Sequence, residues 1–164
     1  MPMEQNGIRE RAREFISTTA PLGQSCKIIL VNPEEVEKFW PYVEDYIEKS
    51  ALRSYTGCSS DSLYVEVAST EAQLWIIVKD DDITGVMVTS IHEYPKKVAL
   101  RISVVGGENM KAWMNDVHYF IETWAMKIGC SLIEAFGRKG WAKYFPDYDT
   151  GCVVFTKELK DRLH

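Results

Sequence analysis

Residues 134–145 read EAFGRKGWAKYF. Two glycines, Gly137 and Gly140, bracket the pair Arg138 and Lys139, and Trp141, Tyr144 and Phe145 follow directly. Glycine frees the backbone, so this hinge reads either as a plain turn or as a place where a ligand meets two cations and an aromatic wall. Gly106 and Gly107, just ahead of Glu108-Asn109-Met110-Lys111, offer the same choice. Glu134 lies inside an apolar run. A carboxylate on a central strand has its charged form disfavoured unless paired, which either tunes a base or makes a salt bridge to a helix. Serine, histidine and aspartate are scattered without a nucleophile elbow, so hydrolase chemistry has no positive support. Cys26, Cys58, Cys130 and Cys152 show no C-x-x-C spacing and no nearby histidine pattern, so a zinc site would have to be assembled by the fold alone.

The chain that must position these groups has 164 residues, the size of one domain with a self-sufficient core. Apolar residues make up 46%, charged residues 26% and aromatics 12%, which predicts a folded, aromatic-rich interior over most of the length. A formal charge of −5 and a pI near 5.3 argue against a general basic field for nucleic acid. Residues 1–25 read as a polar arm and 26–164 as a single domain. Residues 1–20 lack a continuous apolar stretch and no segment reaches bilayer-spanning length, so the expectation is a cytoplasmic protein with reduced thiols and no membrane partner.

Lys27 to Val31 is an apolar run of strand length, and Asn32-Pro33-Glu34-Glu35 is a helix start. Val36, Phe39, Trp40, Val43 and Ile47 recur at helical spacing, with Pro41 expected to bend or restart that helix. Around Leu63 to Ala68 a helix capped by Asp61 and an alternating strand fit equally. Leu74 to Lys79, Ile83 to Ile91 and Val98 to Val105, separated by Asp80-Asp81-Asp82 and Tyr94-Pro95-Lys96-Lys97, predict a three-strand meander. Val117, Phe120, Ile121, Trp124, Ala125 and Ile128 form a helical stripe that Gly129 ends. His118 inside it reads as structural. A strand over 131–136, a short aromatic helix and a closing strand over 152–156 complete the pattern.

This order, with the stretches LWIIVKDDDITGVMVTSI, RISVVGGENMKAW and IEAFGRKGWAKYF, resembles the GNAT (GCN5-related N-acetyltransferase-like) superfamily over about residues 27–157. It is also similar to small phage-encoded GNAT-like proteins, which would place it in a host cytoplasm or a virion. The resemblance implies an α/β fold of α+β type: a central mixed, mostly antiparallel sheet flanked by helices. It implies acetyl-CoA, or another acyl-CoA, as cofactor, bound where the fourth and fifth strands of that fold splay apart. The free main-chain groups there would belong to Ser103, Val104 and Val105. Gly106, Gly107, Asn109 and Lys111 would meet the diphosphate at a helix start, where unpaired N–H groups favour negative charge. Arg138 or Lys139 would reach the diphosphate or an acidic acceptor, and Trp141 and Phe145 would wall the pantetheine arm and thioester.

Acyl transfer to an amine needs a base for the amine and an acid for the leaving thiolate. The resemblance points to Tyr144 or Tyr148 as the acid, and His92, Glu93 or Glu134 are the available bases. The family's Q/R-x-x-G-x-G/A spacing is absent, Glu108 is an anion beside the diphosphate position, and Pro146 falls near the family's tyrosine. Two readings follow. The first is an N-acyltransferase acting on a small-molecule or protein amine by direct attack, with a homodimer as an allowed assembly. The second is a catalytically degenerate GNAT-like module that serves in binding or in a virion.

Overall fold

The structure is a computed structural model that describes residues 19–23, 26–54 and 56–160. Six strands form one sheet in the order β1-β2-β3-β4-β5-β6: Thr19–Gly23, Cys26–Leu30, Ala72–Lys79, Asp82–Tyr94, Lys97–Gly107 and Leu132–Ala135. The first five pair antiparallel, and β6 runs parallel to β5. Most of the expected N-terminal arm lies outside the described residues, but its segment Thr19–Gly23 is laid into the sheet as the edge strand β1.

Strand alternation sends side chains to two cores. Leu74, Ile76 and Val78 of β3 face helices α1 (Val36–Ala51) and α2 (Ser60–Ala68), while Trp75 and Ile77 face helix α3 (Met110–Ile128). Burial on both faces explains why β3 reads as a continuous apolar run. On the α3 side Trp75 meets Trp124 edge to face, with ring centres 4.9 Å apart.

The local signals account for the joints. Asn32 Oδ1 accepts from the Glu34 N–H at 3.0 Å and starts a 3-10 turn, Pro33–Glu35, that runs into α1. That helix continues through Pro41, which lies on its exposed face, where the proline ring meets no packed neighbour element. The ambiguous stretch after Asp61 is helical. Its cap is Ser59, whose hydroxyl accepts from the Ser62 N–H at 3.1 Å in a reciprocal capping box, and Asp61 sits in the first turn instead. Asp80 and Asp81 both take positive φ, the two-residue turn that matches the twist of β3 and β4. Gly129 ends α3 in the left-handed region, with φ 104°.

One expected element does not form. Residues 151–160 are exposed and without regular structure, and Phe155 is 93% exposed. The apolar run Cys152 to Thr156 carries strand propensity, but propensity becomes a strand only where a sheet edge receives it.

Candidate functional site

The two edges of β5 differ. Toward β4 the ladder runs the whole length, from Tyr94↔Lys97 to Gly85↔Gly107. Toward β6 it covers only Ala99↔Leu132 to Ile102↔Ala135, and Ser103 to Gly107 have no strand on that side among the described residues. A bulge coincides with the departure: Val88 faces Val104 and Thr89 faces Ile102, so Ser103 is the inserted residue with a partner in neither register. The insertion repeats a face. Val104 joins the α1/α2 core, while Ile102 and Val105 join the α3 core.

The gap is flanked by α1. Ser50 Oγ donates to the Val105 carbonyl at 3.2 Å, so that carbonyl, and with it the N–H of the same residue, points away from β4. Gly106 and Gly107 meet their own chain. A Cβ on Gly106 would come within 3.3 Å of the Tyr46 carbonyl oxygen, and one on Gly107, at φ 147°, would strike the Thr84 carbonyl and lie 2.6 Å from Gly85 Cα. The second glycine is therefore required by the crossing of β4 and β5 alone.

The chain then enters α3 through Asn109, in the left-handed region with φ 52° and no side-chain cap. No acidic residue occupies the first turn, where Lys111 stands exposed. The connecting loop is met on three sides. The Glu108 N–H donates to the Thr84 carbonyl at 2.8 Å, Trp113 Nε1 donates to the Glu108 carbonyl at 2.9 Å, and the Tyr46 phenol stands near the Glu108 carboxylate. Burial first, and Glu108 second, push the Tyr46 phenol up, so it keeps its proton beside that carboxylate.

Past Ala135 the chain leaves the sheet for a 3-10 helix, Lys139–Tyr144, held against α3. His118 Nε2 donates to the Tyr144 carbonyl at 2.8 Å, and the Tyr148 hydroxyl lies 3.4 Å from His118 Nδ1. Phe145 packs edge-on to His118, with ring centres 4.9 Å apart. Burial lowers the His118 pKa, keeping the imidazole neutral and its Nδ1 an acceptor. Burial also raises the Tyr148 phenol. Trp141 lies against Tyr144 at 5.4 Å between ring centres, and Arg138 is exposed at the head of the 3-10 helix.

Below the bulge, a cavity of about 330 Å³ opens between α2, its preceding loop and the middles of β4 and β5. Glu66, Ser90, His92, Arg101, Ser103 and Phe136 are among its lining residues. His92 Nε2 lies 3.0 Å from Ser90 Oγ. Glu134 is committed elsewhere. Its carboxylate takes Arg101 Nε at 3.0 Å, Arg101 Nη2 at 2.9 Å and the Tyr94 hydroxyl at 2.9 Å, and the Arg101 guanidinium stacks on Phe136 at 4.8 Å. This is a cross-strand clamp at the last paired rungs of β5 and β6.

Of the residues expected from the sequence, Ser103 to Gly107, Asn109 and Lys111 form one continuous track from the gap to the start of α3. His92 shares the cavity wall with Ser103. Glu134 sits in the clamp, and Tyr148 is turned onto α3. Sequence reasoning missed Tyr46, Ser50, Glu66, Ser90 and Arg101. Each acts across a distance in sequence that no local pattern encodes.

No protein-family model matches the chain, and no curated protein matches it in sequence. Solved structures do match it in shape. One is a GNAT family acetyltransferase from Staphylococcus aureus, 15% identical, with a TM-score of 0.57 over 82% of this chain and 99% of that one. An aminoglycoside acetyltransferase from an uncultured soil metagenomic sample, in complex with trehalose, is 13% identical, with a TM-score of 0.58 over 85% of this chain and 100% of that one. An aminoglycoside N-acetyltransferase in complex with CoA is 13% identical, with a TM-score of 0.56 over 85% of this chain and 98% of that one. With its mixed sheet, flanking helices and parted β5 and β6, the chain has the GNAT acyl-CoA N-acyltransferase fold.

Proposed function

We propose that the chain is an N-acyltransferase that moves an acetyl or related acyl group from acetyl-CoA to an amine acceptor by direct attack of the amine. The observation that carries this reading is the half-paired β5, whose edge is laddered through Ile102 and then, among the described residues, left without a strand. An exposed strand edge takes an extended amide-bearing chain by main-chain hydrogen bonds. The residues present fit the cofactor at both ends. Ser103, Val104 and Val105 would hold the pantetheine arm, and Gly106 and Gly107 would let the backbone approach the diphosphate. Asn109 and Lys111, at a helix start free of acidic side chains and side-chain caps, would hold the diphosphate. Arg138 would stand beside the diphosphate, and Trp141 would wall the arm. When bound, acetyl-CoA supplies a thioester carbonyl open to an amine.

His92 takes the base's role in this reading. Its imidazole is fixed by Ser90 and lines the cavity, whereas the Glu134 carboxylate is already satisfied by Arg101 and Tyr94. Of the two tyrosines, Tyr144 is the better proton donor. No hydrogen bond engages its hydroxyl among the described residues, whereas the Tyr148 hydroxyl points at His118 and burial makes it hold its proton. Acetyl-CoA at millimolar concentration should raise the thermal midpoint of the full chain, since a ligand selective for the folded state stabilises it in proportion to occupancy. No rise overturns the reading.

The degenerate module has an observation of its own. Gly106 and Gly107 abut their own backbone, and an anion stands in the loop before α3. Free-thiol release with a panel of amines decides between the two. A midpoint shift with no amine releasing thiol leaves the binding module.

A further inference from the structure

The cavity beside the gap has a one-sided charge. Glu66 of α2 is part of its wall, and among the described residues no cationic side chain pairs with it. Burial first, and the neighbouring Glu71 second, raise its carboxyl above the ordinary value, the mark of a negative charge short of counter-charge. Arg101, the cation in the same wall, is spent on Glu134 and Phe136. The rest of the polar lining is mostly hydroxyl: Ser54, Thr56, Ser62, Ser90 and Ser103. At about 330 Å³ the space lies at the small end of ligand pockets, enough for a single-ring molecule.

We propose that this cavity binds a small polyhydroxylated primary amine in its cationic form, with the Glu66 carboxylate as counter-ion to the ammonium and the Ser90 and Ser103 hydroxyls meeting the ligand's own. The inference rests on the acyl-transfer reading, because it names the acceptor class for that site. A partly desolvated carboxylate gains most from a hydrogen-bonding cation. A hydroxyl-lined wall discriminates against an apolar amine, which would leave those groups unpaired.

Calorimetric titration of the full chain near neutral pH with glucosamine, glucose and n-butylamine tests it. Glucosamine should bind at least about tenfold more tightly than either the sugar without the amine or the amine without the hydroxyls. Glu66→Gln should weaken glucosamine about tenfold, whereas Glu37→Gln, at an exposed position of α1 outside the cavity wall, should leave its affinity unchanged. The proposal is overturned if glucosamine gives no heat, binds no better than glucose, or is indifferent to Glu66→Gln. A lysine-containing peptide that binds more tightly than glucosamine overturns it as well, in favour of a protein acceptor. The acetyl-CoA midpoint shift on the same samples separates the two failures. A retained shift without amine selectivity removes this inference alone, and a lost shift removes the acyl-transfer reading beneath it.

Discussion

The two halves of β5 both carry buried apolar residues and differ in their surroundings. From Ala99 to Ile102 the strand is paired on both edges, and beyond Ser103 it is paired on one. Hydrophobicity does not separate them, since Leu100 and Val104 are both buried. What separates them is an inserted residue at Ser103 and two latches on the neighbouring chain. The Arg101–Glu134 clamp fixes the last shared rungs, and His118 draws the chain after β6 onto α3 instead of along β5. A sheet can thus hold an open slot inside a stable fold when local bonds stop the ladder and a helix captures the departing strand.

The largest test of that division is Gly107→Ala, in the open half. The new methyl would collide with Thr84 and Gly85, so we expect a loss of about 3 kcal/mol, read from denaturant unfolding. A loss under about 0.5 kcal/mol, the level of an ordinary surface change, would mean that the β4–β5 crossing is looser than described. Glu134→Ala comes next, in the closed half. The pair is partly exposed, 21% on each side chain, so we expect about 1 to 2 kcal/mol, between exposed and fully buried pairs. A double-mutant cycle with Arg101→Ala would show whether the clamp accounts for that loss.

The His118 latch is read against pH. Its folded-state pKa is lowered, chiefly by burial, so its contribution is whole above the ordinary value of 6.5 and is lost as pH falls through the lower folded value. Urea midpoints of the native protein should drop across that window, and His118→Gln should flatten the drop; an unchanged slope would acquit this residue. The smallest effect belongs to Gly140→Ala. A Cβ there meets nothing within 4 Å, and the change should stabilise by about 0.5 kcal/mol through the unfolded chain. Destabilisation would show that the hinge needs its glycine for a conformational reason.

Much of this architecture was legible from the residues. The Asn32-Pro33 start, the Asp80-Asp81 turn, the α3 stripe and its Gly129 stop are local signals, each satisfied within a few residues, and the structure realises them. The passage from β5 through Gly106 and Gly107 into α3 was legible too, from the glycine pair and the helical stripe after it. Glu66, Ser90 and Arg101 were not, because nothing in their own neighbourhoods distinguishes them from solvated polar residues. They share one cavity wall only when α2 is laid across β4 and β5.

The sequence by itself determined the alternation of elements and which faces they bury, because helical and strand periodicities are properties of adjacent residues. Only the tertiary structure decided where the β5 ladder stops, that Glu134 serves a clamp, and that Cys152 to Thr156 finds no edge. Pairing is a contest between distant partners, and its outcome depends on which groups the folded chain brings within a hydrogen bond's reach.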